Sequence, residues 1–314
     1  MLSVNEKEYL YVEKYRPKNI DDLIVTEDLK KQMRQWVQDG EIPNLLLTSR
    51  TPGTGKTSLA HTILTELGAD ALFVNASLES NIDLLRSKIQ GFASTASFDG
   101  RPKIIVLDEA DYLNANSTQP ALRGFIEEFS KNARFILTAN YANKLIEPLR
   151  NRLITIDFDE MITKNKQEIV KQTFVRNKAI LENEGIKYTK DDLVWLIKHF
   201  YPSNRLILSK IQQFVKDGVL IIDKEDIDTD SVINNTLQAI LKNDFDAFKL
   251  NVEKIADPST LFLTLYENIT DFPQVKRPEI IVTIAKYQSW DSQVRDRLIN
   301  AVACGVEVMQ ILQR

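Results

Sequence analysis

The run Thr51-Pro52-Gly53-Thr54-Gly55-Lys56-Thr57 combines residue types suited to holding a polyphosphate. It lies between an apolar stretch, residues 44–49, and a helix-like stretch, residues 57–67. A buried strand, a tight glycine loop and a helix N-terminus in that order turn several backbone N–H groups into one concavity. Gly53 and Gly55 let the backbone approach the phosphates, Lys56 reaches the outer ones, and the Thr57 hydroxyl is placed for Mg²⁺. The strict form of this pattern asks for glycine at position 50, where the chain has Arg50. Further on, the apolar run 104–107 ends in Asp108-Glu109-Ala110-Asp111. A carboxylate at a strand end beside a phosphate loop holds the Mg²⁺ hydration shell, and its neighbour orients and deprotonates water. Asp108 suits the first role and Glu109 the second. Acidic residues after a strand also start helices, where they complement the dipole; the phosphate loop favours the chemical reading. Thr138-Ala139-Asn140 closes the next apolar run. The Asn140 amide can bond the terminal phosphate or the attacking water, or cap a helix over residues 141–149.

These residues need a scaffold that brings several strand ends together. Short apolar runs at 45–47, 71–74, 104–107, 135–137 and 154–156 predict buried parallel strands, with amphipathic stretches at 58–67, 82–92, 118–129 and 144–150 between them. The result is an α/β three-layer domain over residues 1–160 whose strand C-termini face a ligand. After residue 158 no further strands are expected. Helices at 164–184, 190–200 and 204–215 form a second domain, residues 161–228, ending in the acidic linker 223–230. A third, all-helical domain, residues 229–314, has helices at 231–242, 245–255, 259–270, 278–287 and 293–313. The last carries Val294, Leu298, Val302, Val306 and Met309 on one face that other helices must cover.

The 314 residues exceed one compact core of usual size. A composition of 43% hydrophobic and 27% charged residues describes a mostly helical globular protein. No run is long and apolar enough for a membrane span, and the polar start is no signal peptide. A cytoplasmic location follows, that of the bacterial host if the chain is phage-encoded. Cys304, the single cysteine, can form no internal disulfide and suits packing. The net charge of −4 excludes a generally basic nucleic-acid coat but leaves room for a local patch.

Val12-Glu13-Lys14-Tyr15-Arg16-Pro17, the phosphate loop, Leu107-Asp108-Glu109-Ala110-Asp111, Thr138-Ala139-Asn140 and Pro148-Leu149-Arg150-Asn151-Arg152 occur in the order seen in the AAA+ ATPases of sliding-clamp loaders. The chain resembles the replication factor C small subunits and, more closely, the clamp-loader large subunits of tailed bacteriophages. The likeness is especially strong at residues 4–8 and 93–101. The resemblance implies an AAA+ domain, a helical lid and a helical collar, with ATP and Mg²⁺ as cofactors. Val12, Glu13, Lys14, Tyr15 and Ile24 would line the adenine, mostly through backbone, and Gly53, Thr54, Gly55, Lys56, Thr57 and Ser58 would hold the phosphates. Arg205 would be the second sensor arginine. Arg152 matches the finger that enters a neighbouring subunit's site, although Asn151 and Leu153 replace the family's Ser and Cys. Ser80, Asn81, Arg86 and Lys88 would meet the DNA backbone, with Gln119 and Arg123 linking DNA to Glu109. The family's basic residue near position 80 is missing here. Phe92 and Phe98 fall on the clamp-facing edge, where core packing is the alternative.

The function implied is an ATPase subunit, stimulated by DNA and clamp, that opens a ring-shaped sliding clamp and places it on primer–template DNA. Its partners would be further copies of itself and a distinct loader subunit in a spiral. The rivals are another AAA+ DNA-remodelling motor, of helicase or initiator type, and a non-catalytic scaffolding subunit. The first needs a winged-helix module after the lid. The second is favoured by loss of Lys56 or Glu109, and both are present.

Overall fold

The structure, a computed structural model, describes residues 2, 4–79, 82–95, 100–222, 229–255, 257–291 and 293–313. They form two compact units, Met1–Ile222 and Asp223–Arg314.

In the first unit a short helix α1 (Tyr11–Lys14) and helix α2 (Glu27–Asp39) precede strand β1 (Leu45–Thr48). There follow α3 (Lys56–Leu67), β2 (Asp70–Asn75), α4 (Ile82–Ala93), β3 (Lys103–Asp108), α5 (Thr118–Glu128), β4 (Arg134–Ala139), α6 (Glu147–Arg150) and β5 (Ile154–Asp157). The strands form one parallel sheet in the order β2-β3-β4-β1-β5. β1, β3 and β4 are buried on both faces, which is why they read as unbroken apolar runs. Successive side chains point to opposite faces. Leu46, Ile105, Leu107, Phe135 and Leu137 pack with Leu85, Ile89, Leu122 and Phe125 of α4 and α5. Leu45, Leu47, Ile104, Val106 and Ile136 pack with Met33, Leu59, Ile63 and Phe158 on the other face. All five predicted strands are present.

Helix α2 has no counterpart in the sequence reading, although the Thr26 hydroxyl caps its start and Gly40, at φ +70°, ends it. The helix expected over 144–150 is a 3₁₀ turn, Ala142–Lys144, and then the short α6 with Pro148 in its first turn. The one expected over 164–184 is α8 (Lys166–Asn183), preceded by a short helix α7 (Phe158–Lys164) that the sequence reading lacked. Helices α9 (Lys190–Phe200) and α10 (Asn204–Phe214) lie where predicted, each capped by the preceding hydroxyl, Thr189 or Ser203. The expectation that strands stop after residue 158 needs correction. β6 (Val215–Lys216) and β7 (Val219–Leu220) pair as an antiparallel hairpin. Its turn, Asp217-Gly218, has positive φ at both residues, the primed geometry that short hairpins use. Two-residue strands are too short to show alternation.

The second unit holds α11 (Thr229–Leu241), α12 (Phe245–Glu253), α13 (Thr260–Glu267), α14 (Arg277–Trp290) and α15 (Arg297–Gln313), with no strand among its described residues. Ile240, Phe248, Phe262, Leu265, Ile280, Cys304 and Val308 share its core. On α15 the buried face runs through Ala301, Cys304, Gly305, Val308 and Met309, while Leu298, Val302 and Val306 are half-buried and Val294 precedes the helix. The expected face is thus covered in part, with Met309 in the core and Leu298 and Val302 packed against it, but its centre lies on the smaller residues. A Cβ on Gly305 would stand 2.0 Å from Phe248 Cζ: the small residues of α15 admit the ring of α12, so counting large side chains misplaces the contact. No helix among the described residues is long and apolar enough to cross a membrane.

Candidate nucleotide site

The loop after β1 leads into α3 with Gly55 at φ +113° and Gly53 at φ +79°, conformations that side-chain-bearing residues rarely adopt. Gly53 is also crowded from outside. An added Cβ would meet Ser203 Oγ at 2.5 Å and Arg205 Cβ at 2.8 Å, and the Arg205 N–H donates to the Gly53 carbonyl at 3.3 Å. The start of α10 thus closes over the loop. Lys56 is 8% exposed and donates from Nζ to the Ser49 carbonyl at 3.1 Å. Burial draws its ammonium below the usual lysine range, opposed by the carboxylates of Asp159, Asp108 and Asp111. Asp159, at the start of α7, accepts from Ser49 Oγ and from the Arg50 N–H, both at 2.7 Å. Only the backbone of Arg50 is used there, and its side chain is exposed, which explains why a non-glycine residue is accepted at that position.

The acidic turn lies beside this loop. Asp108 Oδ1 accepts from Thr57 Oγ1 at 3.0 Å and Thr138 Oγ1 at 2.6 Å. The Glu109 N–H donates to Thr138 Oγ1 at 3.0 Å, and Glu109 sits at φ 57°, ψ 42°, in the left-handed region. The nearly buried Asp111 accepts from the backbone N–H of Asn140 at 3.2 Å and Tyr141 at 3.3 Å. Asn140 does not cap the following turn, which has no side-chain cap; it lines the same cavity as Gly53, Lys56, Thr57, Asp108 and Glu109. The hydroxyl of Thr57 and carboxylate of Asp108 are hard oxygen donors of the kind Mg²⁺ takes.

The other end of this cavity is apolar, lined by Val12, Tyr15, Leu23, Ile24, Val25 and Leu208, with Thr54, Ser58 and Arg205 also on its wall. Leu23, Val25 and Leu208 were not singled out in the sequence, and neither was Arg176 of α8. It donates to the carbonyls of Asp22 (2.6 Å) and Tyr15 (2.7 Å) and pairs with the Asp22 carboxylate at 3.4 Å. Tyr15 Oη in turn accepts from Asn183 Nδ2 at 2.8 Å and bonds Glu184. Glu13 and Lys14 do not line the cavity; their side chains pair with Arg16 at 2.7 Å and Glu184 at 2.5 Å.

Other residues singled out in the sequence lie elsewhere. Arg152 is held by Glu127 of α5, Nε to Oε1 at 2.6 Å, and donates from Nη1 to the Pro148 carbonyl at 2.5 Å. Gln119 is fully buried and bonds the main chain of Leu113 (2.9 Å), Lys144 (3.1 Å) and Ile146 (2.7 Å), so its amide faces backbone and not solvent. Arg86 and Arg123 are exposed, and Lys88 pairs with Glu79. Phe92 is half-buried against the core, its carbonyl and ring both close to Lys103 Nζ (2.8 Å to the carbonyl, 4.9 Å to the ring centroid). Ser80, Asn81 and Phe98 lie outside the described residues.

Residues 46–160 match the model of the ATPase family associated with various cellular activities (AAA). The chain is 33% identical over 289 residues to the sliding-clamp-loader large subunit of Enterobacteria phage T4, covering 90% of each. It is 30% identical over 303 residues to replication factor C small subunit 2 of Pyrobaculum islandicum, covering 89% of this chain and 90% of that one. A solved structure of a RuvB variant from Thermotoga maritima superposes with a TM-score of 0.53 at 20% identity over 80% of this chain and 79% of that one, a likeness of fold.

Proposed function

The chain belongs to the family of sliding-clamp-loader and replication factor C ATPases, and we propose that it is a catalytic loader subunit that opens a sliding clamp and places it on primer–template DNA. The observation that carries this reading is the meeting of Lys56, Thr57, Asp108, Glu109 and Asn140 around one cavity in a chain related over nearly its whole length to loader subunits. Lys56 would neutralise the outer phosphates of ATP. Glu109 would take the proton of the attacking water and Asn140 would hold that water or the terminal phosphate. Thr57 and Asp108 would hold Mg²⁺, whose charge offsets that developing on the phosphates. The apolar end would take the adenine, and Arg205, on the helix that covers the loop, would report the nucleotide to the lid, residues 161–228. Residues 229–314 would form the collar that gathers copies of this chain and a distinct loader subunit.

Arg152 would serve the neighbouring subunit's site. It must first leave Glu127, and a partly exposed ion pair of that kind is worth only about 0–1 kcal/mol. A finger is worth roughly 10³-fold or more in rate, about 4 kcal/mol, so the exchange favours the finger. Exposed Arg86 and Arg123, with Lys88, would meet DNA phosphates without reading bases, and Phe92 and Phe98 would face the clamp. A helicase or initiator reading lacks its wing, since the described part of the second unit is all helix. ATP turnover measured with and without primed DNA and clamp tests the proposal. Both should raise the rate, and Glu109→Gln should keep nucleotide binding while cutting turnover by about 10²-fold or more. Normal turnover in that variant would remove Glu109 from its role.

A further inference from the structure

Thr138 has no part in the roles above, yet among the described residues its hydroxyl alone touches both the metal-side carboxylate and the backbone of the proposed base. We infer that Thr138 is a positioning residue for hydrolysis: its hydroxyl fixes the Asp108 carboxylate and pins Glu109 in the turn that presents it to the cavity. This rests on the reading of Glu109 as the base.

The register explains how the contact arises. Leu107 of β3 lies opposite Leu137 of β4, so the next residues, Asp108 at the end of β3 and Thr138 near the end of β4, stand side by side. Thr138 is 2% exposed, and at such a β position a valine of the same shape would pack equally well. The hydroxyl must therefore be explained by its bonds. It has one proton and two lone pairs. The proton goes to Asp108 Oδ1 at 2.6 Å, a charge-assisted bond, and a lone pair accepts the Glu109 N–H at 3.0 Å. Asp108 Oδ1 also takes the Thr57 hydroxyl at 3.0 Å. Two hydroxyls, one from the phosphate-loop helix and one from β4, set the rotation of one carboxylate.

Glu109 needs the second bond for another reason. Its left-handed backbone, φ 57° and ψ 42°, is disfavoured for any residue with a Cβ and persists where the surroundings over-determine it. The N–H held by Thr138 fixes the entrance to that turn, and the Glu109 carbonyl, accepting from the Tyr112 N–H at 3.0 Å, fixes its exit. Without the hydroxyl, the turn keeps only its exit bond. The strand end beyond Thr138 is secured separately, because Asp111 holds Asn140 and Tyr141. Removing the hydroxyl therefore perturbs Asp108 and Glu109 while leaving Asn140 tethered.

The test compares Thr138→Val, Thr138→Ala and Thr138→Ser with wild type and Glu109→Gln in the full chain, by ATP turnover and by binding of a non-hydrolysable ATP analogue. Both hydroxyl-free variants should lose roughly 10- to 100-fold in kcat, the scale of a misplaced catalytic group, with KM and analogue affinity within about threefold of wild type. Thr138→Ser should recover most of the rate. Should the valine chain fail to fold, the alanine chain supplies the comparison. A kcat within about twofold of wild type in a hydroxyl-free variant, a loss of analogue binding that matches the loss of rate, or a serine variant as slow as the valine one overturns the inference. If Glu109→Gln also turns over normally, the assignment of the base has failed; if it is slow while Thr138→Val is not, the failure lies with Thr138 alone.

Discussion

Replacing Gly53 by alanine separates the geometric demand of the phosphate loop from its closure by α10. Gly68, at the end of α3, is a matched control: it has φ +58° with nothing within 4 Å of a built Cβ, whereas Gly53 has φ +79° and the contacts at 2.5 and 2.8 Å. Both substitutions carry the left-handed cost of roughly 1–2 kcal/mol. Gly68→Ala should stop there and lower the melting temperature by about 2–8 °C for a unit of this size, with nucleotide binding unchanged. At Gly53 the overlap adds a second term. Ser203 Oγ can rotate only by giving up its cap on Leu206, and Arg205 Cβ is fixed to the backbone of α10. The first turn of α10 must therefore retreat, taking with it the bond from Arg205 N–H to the Gly53 carbonyl. Overpacking of this kind costs roughly 1–3 kcal/mol. Because the strain falls on the loop that must cradle the phosphates, it should appear as nucleotide affinity weaker by roughly 5- to 150-fold. A fluorescent ATP analogue titrated against both variants, with thermal unfolding alongside, reads the two terms. Gly53→Ala binding as tightly as Gly68→Ala would refute the closure of the loop by α10.

Three other outcomes are expected. Mixing Arg152→Ala chains with Lys56→Ala chains should restore part of the hydrolysis that each lacks alone, since an intact finger then faces an intact loop; no recovery with assembly confirmed would place the finger elsewhere. Burial first, and then the charge of Glu307, pushes the Cys304 thiol up to about 12 from its ordinary 9.0, against the pull of Lys286. At pH 8 a thiol reagent should therefore label the native chain roughly 10³-fold more slowly than the unfolded chain. This raised value stabilises the fold below the unfolded thiol's pKa, and the contribution is lost as pH rises toward 12; a pH-independent alkaline stability would contradict it. Gly305→Ala drives a Cβ to 2.0 Å from Phe248 Cζ and should destabilise the second unit by roughly 1–3 kcal/mol or more, seen as earlier unfolding with ATP affinity unchanged.

The phosphate loop, the acidic turn and Asn140 were legible because each couples a special residue type to the end of an apolar run, and buried parallel strands make such runs unmistakable. Thr138 and Asp111 stood inside motifs already singled out, but their partners depend on the register of β3 against β4, which no local pattern encodes. Asp159 illustrates the same limit. β5 pairs with β1, so the residues after β5 lie beside the phosphate loop; strand order was needed to see it. Arg176 carries no signal at all, since an arginine within a polar helix reads as a solvated charge until its burial is known. The centre of the α15 face was missed for a related reason: glycine and alanine mark a close approach, and counting bulky residues passes over them.

The ties that bind the start of the chain to α8 and α10 bear on the order in which the first unit folds. Gln212 bonds the backbone of Tyr9 and Tyr11, Arg176 the carbonyls of Tyr15 and Asp22, and Asn183 the Tyr15 hydroxyl. These partners are 154 to 203 residues apart. At usual elongation rates the earlier segment leaves the ribosome on the order of ten seconds before its partners exist, while the parallel sheet can already close. A nascent chain released before α8 therefore carries the phosphate loop and both carboxylates but no fastened wall on the adenine side. Tight nucleotide binding then marks completion of synthesis through α10 and cannot precede it.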